Sequence, residues 1–432
     1  MPATVAVIGT GYVGLTTGAY LAHLGHTVIC ADVVADKVDQ LNRGEVPILE
    51  AGLEDLVSEG LSSGRLSFVL GAANAVAGAE FVFLCVPTPQ GEDGSADLSY
   101  VRHAAGEIAA GLAPECIVIN KSTVPVGSTR VVEEALGRDD VFVVSNPEFL
   151  REGSAVHDCL HPERIVIGSD DQAAAMRVAE LFEALRAPLV ITDPASAETI
   201  KYASNAFLAT KVSFVNALAN VCEAVGADVR EVVLGMGHDP RIGFEFLKPG
   251  PGWGGSCFPK DTRAMVHIAE DAGYDFNLLR GVIAVNDEQY ERMADKVERM
   301  VGTSLEGCEV AAWGLTFKAR TDDLRDSPAI EVIRRLRERG ARVRAYDPTV
   351  DPHAAAEDPR LGGIELGADA YAVAAGAQVV VVLTEWDELR WLDYAKVAGS
   401  MAEPRIVDTR NLLDAPALRR LGFTYTGLGR DG

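Results

Sequence analysis

The stretch GWGGSCFPKD, residues 252–261, sets Cys257 after a pair of glycines and before Pro-Lys-Asp. A thiol on such a segment is poorly placed for a core and well placed to touch a ligand. The residues that follow, FPKDTRAMVHIAEDAG, read as a helix that starts near Pro259 and stops at Gly273. A thiol at a helix N-terminus beside Lys260 has reason to be a thiolate at neutral pH, and Gly254 and Gly255 leave room for a ligand against the backbone. The other cysteines, Cys30, Cys85, Cys116, Cys159, Cys222 and Cys308, are scattered, and no CxxC pair occurs. That usage argues against a disulfide framework and for a reducing compartment. Cys30, Cys85 and Cys116 lie in or beside apolar runs and read as small buried hydrophobes.

Lys201 and Asn205 are four residues apart in a helical stretch and so share a face. One charge and one amide donor suit an oxyanion, although their sequence alone reads first as a solvated helix face. Upstream, VAVIGTGYVG supplies Gly9, Gly11 and Gly14 as GxGxxG directly after a strand and at the start of a helix. The first glycine makes the turn, the second admits a pyrophosphate and the third lets helix and strand pack closely. Asp32 closes the next strand, where a carboxylate accepts from a ribose 2′-hydroxyl and repels a 2′-phosphate, so NAD is expected over NADP. Ligands of parallel sheets collect at the carboxyl ends of the strands. Thr88, Thr123, Glu148 and Glu152 fall there, although threonine beside proline is also turn chemistry.

These residues need a frame. The first third alternates short β-branched runs (4–9, 27–32, 80–87, 116–122, 141–147) with helical stretches such as 14–24, the pattern of a doubly wound parallel sheet. Between Pro194 and Gly226 there is no glycine or proline, which predicts one helix of about 30 residues capped by Asp193. The last third returns to strands at 309–315, 342–348, 378–386 and 405–413. TVICADV is echoed by RVRAYDP, and AEFVFLCVPTP by AQVVVVLTEW. The expected fold class is α/β, with two Rossmann-like parallel-sheet domains joined by a long central helix. The parts are 1–192 for NAD, 193–300 as a helical dimerisation domain with the cysteine loop, and 301–432 as a second sheet. That second sheet lacks the glycine fingerprint and is expected to bind something other than a dinucleotide.

A net charge of −24 repels nucleic acid and anionic lipid. An anionic substrate therefore requires lysine and arginine gathered at its site. The apolar run at Val379–Leu383 is too short to span a bilayer, and no basic leader precedes the first strand. We expect a cytoplasmic protein with neither nucleic-acid nor membrane partners. His157, Cys159 and His161 match no strong zinc spacing, and no metal is expected.

A dehydrogenase cofactor together with a nucleophilic cysteine implies one sequence of steps. An alcohol is oxidised to an aldehyde, the thiolate adds to give a thiohemiacetal, a second oxidation leaves a thioester, and water releases an acid. The net change is alcohol to carboxylate with two NAD⁺ consumed.

At this point the chain resembles the UDP-glucose/GDP-mannose dehydrogenase family. The matching stretches run from VIGTGYVGL through CVPTP, STVPVGST, NPEFLREG, ERIVIG, IKYASNAFLATKVSFVNALANVCE, FLKPGPGWGGSCFPKD, GLTFKARTDDLRDSPA, YDP and LTEWDE to VDTRNLL. The resemblance implies Cys257 as nucleophile, Lys201 and Asn205 on the thiohemiacetal oxygen, and Asp261 positioning or deprotonating water. It implies that Glu148 or Glu152 assists hydrolysis and that Thr123 acts through water. For NAD it implies Val13, Asp32, Lys37, Thr88, Thr123, Glu152, Lys260 and Arg325, beside the fingerprint glycines. For the nucleotide sugar it implies Glu148, Phe149, Leu150, Arg151, Glu152, Lys201 and Asn205. To these it adds Phe246, Leu247, Lys248, Pro249, Gly250, Gly254 and Lys318, with UDP on the second sheet. Arg241 resembles an arginine that reaches the neighbouring subunit's site, which implies a homodimer.

Family members acting on UDP-N-acetylhexosamines tend to carry histidine before the cysteine and Val-Asp for Lys-Asp. Ser256 and FPKD here resemble the UDP-glucose branch, so UDP-glucose oxidised to UDP-glucuronate is expected. GDP-mannose or UDP-N-acetylmannosamine oxidation is the alternative, with two-electron hydroxyacid oxidation behind it. ARTDDLRDSP reads as a charged, solvated loop in which only Arg325 has a role.

Overall fold

A β-strand shows alternate side chains to opposite faces, and the apolar runs supply both. In the computed structural model, which describes residues 2–89, 91, 96–352 and 358–430, β1 (Thr4–Ile8) gives Val5 and Val7 to one core and Ala6 and Ile8 to another. The strands that follow are β2 (Thr27–Asp32), β3 (Leu66–Leu70), β4 (Phe81–Leu84), β5 (Ile117–Asn120), β6 (Phe142–Ser145), β7 (Ile165–Gly168) and β8 (Leu189–Thr192). They form one sheet in the order β3-β2-β1-β4-β5-β6-β7-β8. Its pairings are parallel except β6 with β7. The first six strands have the winding of a dinucleotide-binding sheet, which reverses direction at β1/β4.

The second sheet is built from β9 (Glu309–Trp313), β10 (Arg342–Tyr346), β11 (Glu365–Leu366), β12 (Val379–Val382), β13 (Arg405–Asp408) and β14 (Thr424–Thr426). Its order, β11-β10-β9-β12-β13-β14, is the same winding counted from β9, and all its pairings are parallel. Val379 and Val381 enter one core and Val380 and Val382 the other. The internal echo of the sequence is thus a repeated fold.

The chain divides into two units, Met1–Ser204 with Arg263–Ala272, and Asn205–Thr262 with Gly273–Gly432. The predicted long helix runs Pro194–Val225, and the unit boundary falls within it. Asp193 caps it, its carboxylate accepting from the Ser196 amide at 2.8 Å. No described helix is long and apolar enough to cross a membrane.

Near its start this helix carries Glu198, which is buried. Its carboxylate accepts from the amides of Gly127 (2.6 Å) and Thr129 (2.9 Å) and from the Thr129 hydroxyl (2.9 Å). It therefore satisfies the open end of helix Ser128–Leu136 and pins the VPVGST turn. Glu198→Ala should cost about 1–3 kcal/mol, because it leaves buried amides unpaired. Glu198→Gln, which keeps one carbonyl acceptor, should cost less. Urea midpoints measure both, and an unshifted midpoint for the alanine variant would contradict the capping role.

Candidate active site

The glycine turn and Asp32 meet at the carboxyl edge of the first sheet. The Gly9 amide donates to the Ala31 carbonyl at 2.8 Å. A Cβ on Gly14 would lie 1.9 Å from the Gly9 carbonyl oxygen, so the helix Tyr12–His23 can start there only on glycine. Gly11 begins this helix without a side-chain cap, and a Cβ placed on it would meet nothing within 4 Å. Open backbone at a helix N-terminus is what a pyrophosphate requires, so these residues fit NAD. Asp32 accepts from the Thr10 amide (3.1 Å), the Thr10 hydroxyl, Lys37 Nζ (3.1 Å) and the Val34 amide (3.1 Å). Partial burial works to raise its carboxyl, but Thr10, Val34 and Lys37 together hold it below the usual range. Val13 lies in the first turn of the same helix. Thr88 and Thr123 come together after β4 and β5, the Thr88 hydroxyl donating to the Thr123 carbonyl at 2.8 Å.

In the same unit, Lys201 Nζ lies 2.7 Å from Glu148 Oε1, both side chains being almost fully buried. Glu148 also accepts from the Leu150 amide at 2.6 Å. Burial alone would raise the Glu148 carboxyl, but Lys201, the Leu150 amide and Lys121 outweigh it and hold the group ionised below the usual carboxylate range. The Phe149 ring lies 5.6 Å from Lys201 Nζ and 3.8 Å from the Arg164 guanidinium. Arg151 pairs with Asp158 at 2.5 Å, and Glu152 follows it in the same loop.

The cysteine lies in the other unit. Of the seven cysteines, six are buried and Cys257 alone is partly exposed. Its carbonyl accepts from the Asp261 amide at 2.9 Å, closing the first turn of helix Phe258–Asp271. Asp261 is wholly buried and is held from two sides, by Asn205 Nδ2 at 2.6 Å and by Lys260 Nζ at 2.5 Å. Lys260 therefore reaches the carboxylate, where the sequence had set it beside the thiol. The Asn205 amide nitrogen carries two hydrogens, one of which Asp261 takes.

The cysteine loop rests on the segment ARTDDLRDSP, whose Arg320, Asp322, Arg325 and Asp326 are exposed as a solvated loop requires while its uncharged residues turn inward. Thr321, Leu324 and Ser327 are buried, and the Gly255 amide donates to the Arg325 carbonyl at 3.0 Å. A Cβ on Gly254 would lie 1.8 Å from the Asp326 carbonyl oxygen. The Arg325 guanidinium pairs with Asp323 at 2.8 Å. In the segment Phe246–Gly250, Leu247 and Gly250 are buried, Phe246 and Pro249 are partly buried, and Lys248 is exposed. The Lys318 amine lies 5.3 Å from the Phe317 ring. Arg241, with 85% of its side chain exposed, pairs with Asp239 at 2.6 Å.

The sequence reading passed over several residues here. The Tyr12 hydroxyl and Glu50 bond to each other, and each accepts from the Gly153 amide at 2.8 Å. They thereby tie the loop that follows Glu148 to the fingerprint helix. Lys121 is buried at the end of β5, 3.1 Å from Asn146 Oδ1, and burial pushes its amine down. Arg410 donates to the carbonyls of Leu383 (2.8 Å) and Phe317 (3.0 Å), and a Cβ on Gly250 would lie 3.1 Å from its guanidinium. Tyr12 stands inside the fingerprint, Lys121 directly before STVP and Arg410 inside VDTRNLL as visible signals; Glu50 offers none.

Three family patterns match in succession. They are the NAD binding domain of the UDP-glucose/GDP-mannose dehydrogenase family at residues 3–186, its central domain at 195–288 and its UDP binding domain at 311–415. A UDP-glucose 6-dehydrogenase of Bacillus subtilis (strain 168) is 44% identical over 432 residues, covering 99% of this chain and 93% of that protein. One of Rhizobium meliloti (strain 1021) is 45% identical over 438 residues, covering 99% of each. The solved structure of a UDP-glucose dehydrogenase from Pyrobaculum islandicum superposes with a TM-score of 0.92 at 38% identity, covering 100% of this chain and 98% of that one. The chain belongs to the UDP-glucose/GDP-mannose dehydrogenase family.

Proposed function

We propose that this chain is the NAD-dependent enzyme that oxidises the C6 alcohol of UDP-glucose to the carboxylate of UDP-glucuronate. The observation that carries the reading is Cys257, the one partly exposed thiol, opening the helix that holds Asp261 one turn on. NAD⁺ supplies the hydride acceptor for both oxidations. The Cys257 thiolate adds to the C6 aldehyde, forming a carbon–sulfur bond and a thiohemiacetal oxyanion. Lys201 and Asn205 steady that oxygen through an ammonium and the second amide hydrogen. After the second oxidation the thioester carbonyl is attacked by water, the carbon–sulfur bond breaks, and Cys257 leaves as thiolate.

Asp261 shares a helix face with Cys257 and is the group best placed in sequence to orient that water. Glu148, already ionised on Lys201, and Glu152 assist, with Thr123 acting through water. Asp32 holds the adenosine ribose, aided by Val13, Lys37, Thr88, Lys260 and Arg325. The sugar nucleotide is held by the 148–152 loop, the 246–250 segment, Gly254 and Lys318, with UDP on the second sheet. This gathers cations on an otherwise acidic chain.

The enzyme works as a homodimer. Phe207, Phe214 and Val221 recur at seven-residue spacing on the long helix and are 65%, 53% and 55% exposed, a stripe that a second copy covers. Arg241, exposed and on the same unit, reaches the partner's site. Seven scattered cysteines with no CxxC pair suit the cytoplasm.

Purified protein given limiting UDP-glucose should form two NADH per sugar, with UDP-glucuronate as product. One NADH per sugar, with an aldehyde or ketone as product, would reject the reading. Asp32→Ser should raise KM for NAD⁺ about tenfold and narrow the preference over NADP⁺, since one charged hydrogen bond and one repulsion are lost. Steady-state kinetics with both cofactors checks this, and an unaltered NAD⁺/NADP⁺ ratio would remove Asp32 from the ribose.

A further inference from the structure

The loop ahead of Cys257 contains four glycines and two prolines from Pro249 to Gly255, a composition that fixes nothing by itself. What fixes it is a set of side chains from two helices. Asn286, on helix Asn277–Val301, grips the backbone of Trp253 from both sides. Its Oδ1 accepts from the Trp253 amide at 2.8 Å, and its Nδ2 donates to the Trp253 carbonyl at 3.0 Å. The Tyr290 hydroxyl, one turn along, donates to that same carbonyl at 2.9 Å. On its other side Trp253 reaches the long helix, its indole Nε1 donating to Ser213 Oγ at 2.8 Å. Ser213 in turn donates to the Val282 carbonyl at 2.9 Å. Trp253, Ser213, Asn286 and Tyr290 are all at least nine-tenths buried, so no water competes for these bonds.

We propose that Trp253 is a positioning residue for Cys257: its indole N–H, through Ser213, sets the loop that presents the thiol. A phenylalanine there could fill part of the volume but could not make the bond. Because Trp253 and Cys257 are four residues apart on one loop, a shift at the indole is passed to the sulfur. The geometry of attack is sensitive to displacements of this size, whereas UDP is anchored elsewhere. The loss therefore falls on kcat and leaves KM for UDP-glucose nearly unchanged. The turnover part of this inference rests on the function proposed above; the thiol part does not.

The test uses full-length Trp253→Phe, Ser213→Ala, their double variant and Ser213→Thr. Two readouts are taken on protein whose melting curve shows it folded: kcat with KM, and the rate at which iodoacetamide labels Cys257 in the native state. Each single variant should lower kcat about tenfold with KM within about twofold. Each should also change the Cys257 labelling rate by a similar factor. The double variant should be no worse than either single one, because both remove the same bond. Ser213→Thr, which keeps the hydroxyl, should stay close to the parent in both readouts. Parent-like kcat and labelling in Ser213→Ala, or effects of the two single variants that multiply in the double, would overturn the proposal. If the parent protein does not oxidise UDP-glucose, the proposed function fails, and the labelling rates alone still decide whether Trp253 sets the thiol.

Discussion

A buried ammonium must have a counter-charge, and most of what is distinctive in this chain follows from meeting that demand. Lys201 lies on the long helix with almost no exposure and rests on Glu148 at 2.7 Å. Taking both charges out of water costs several kcal/mol per ion unless further hydrogen bonds repay it. The Leu150 amide supplies one of these, at 2.6 Å. One turn on, Asn205 meets a second buried carboxylate, Asp261, which Lys260 also neutralises. One turn earlier Glu198 holds the amides of Gly127 and Thr129. The helix thus presents polar groups at 198, 201 and 205, each locked by partners within its own unit. That spacing places them on one face of the helix.

The two sheets show one fold put to different uses. Gly9 donates to the Ala31 carbonyl at 2.8 Å, and Gly314 to the Tyr346 carbonyl at 2.7 Å, the same turn after the same strand. Asp347 follows β10 as Asp32 ends β2. Asp32 remains partly exposed. Asp347 is buried, and its Oδ2 accepts from the Leu315 and Thr316 amides (2.8 and 3.0 Å), the Thr316 hydroxyl (3.0 Å) and the Trp386 indole (3.0 Å). Its Oδ1 is taken by the Thr349 amide and hydroxyl. No ribose can reach a carboxylate spent in this way. The missing glycines of the second turn and the sealed aspartate are two signs of the same change, and only the first is visible as letters.

Much of the frame could be read directly. Central strands such as Phe81–Leu84 and Val379–Val382 are continuous apolar runs because both of their faces are buried. The long helix announced itself by the run from Ala195 to Val225 without glycine or proline. β3, β7, β8, β11 and β14 were not anticipated. β11 has two residues and β14 three, and Leu189–Ile191 in β8 are exposed, so edge position blurs the pattern of these three, whereas β7 is interior and buried and its signal is only four residues long. The site divided in the same way. Cys257 and Asp32 stood out by type and local spacing, and Lys201 and Asn205 only through the family resemblance. The burial of Thr321, Leu324 and Ser327 within ARTDDLRDSP, the grip of Tyr12 and Glu50 on Gly153, and the partner of Lys260 did not, because each depends on what a folded neighbour offers. Local spacing carries no information about that.

The central claim is a covalent bond between Cys257 and the sugar. Intact mass measurement of acid-quenched Asp261→Asn protein, mixed with UDP-glucose and NAD⁺, tests it directly. The account predicts that the protein gains the mass of UDP-glucuronate less one water, and that the modified peptide is the one containing Cys257. Steady turnover to UDP-glucuronate by a Cys257→Ser protein at the parent's rate, with no such adduct in either protein, would contradict it.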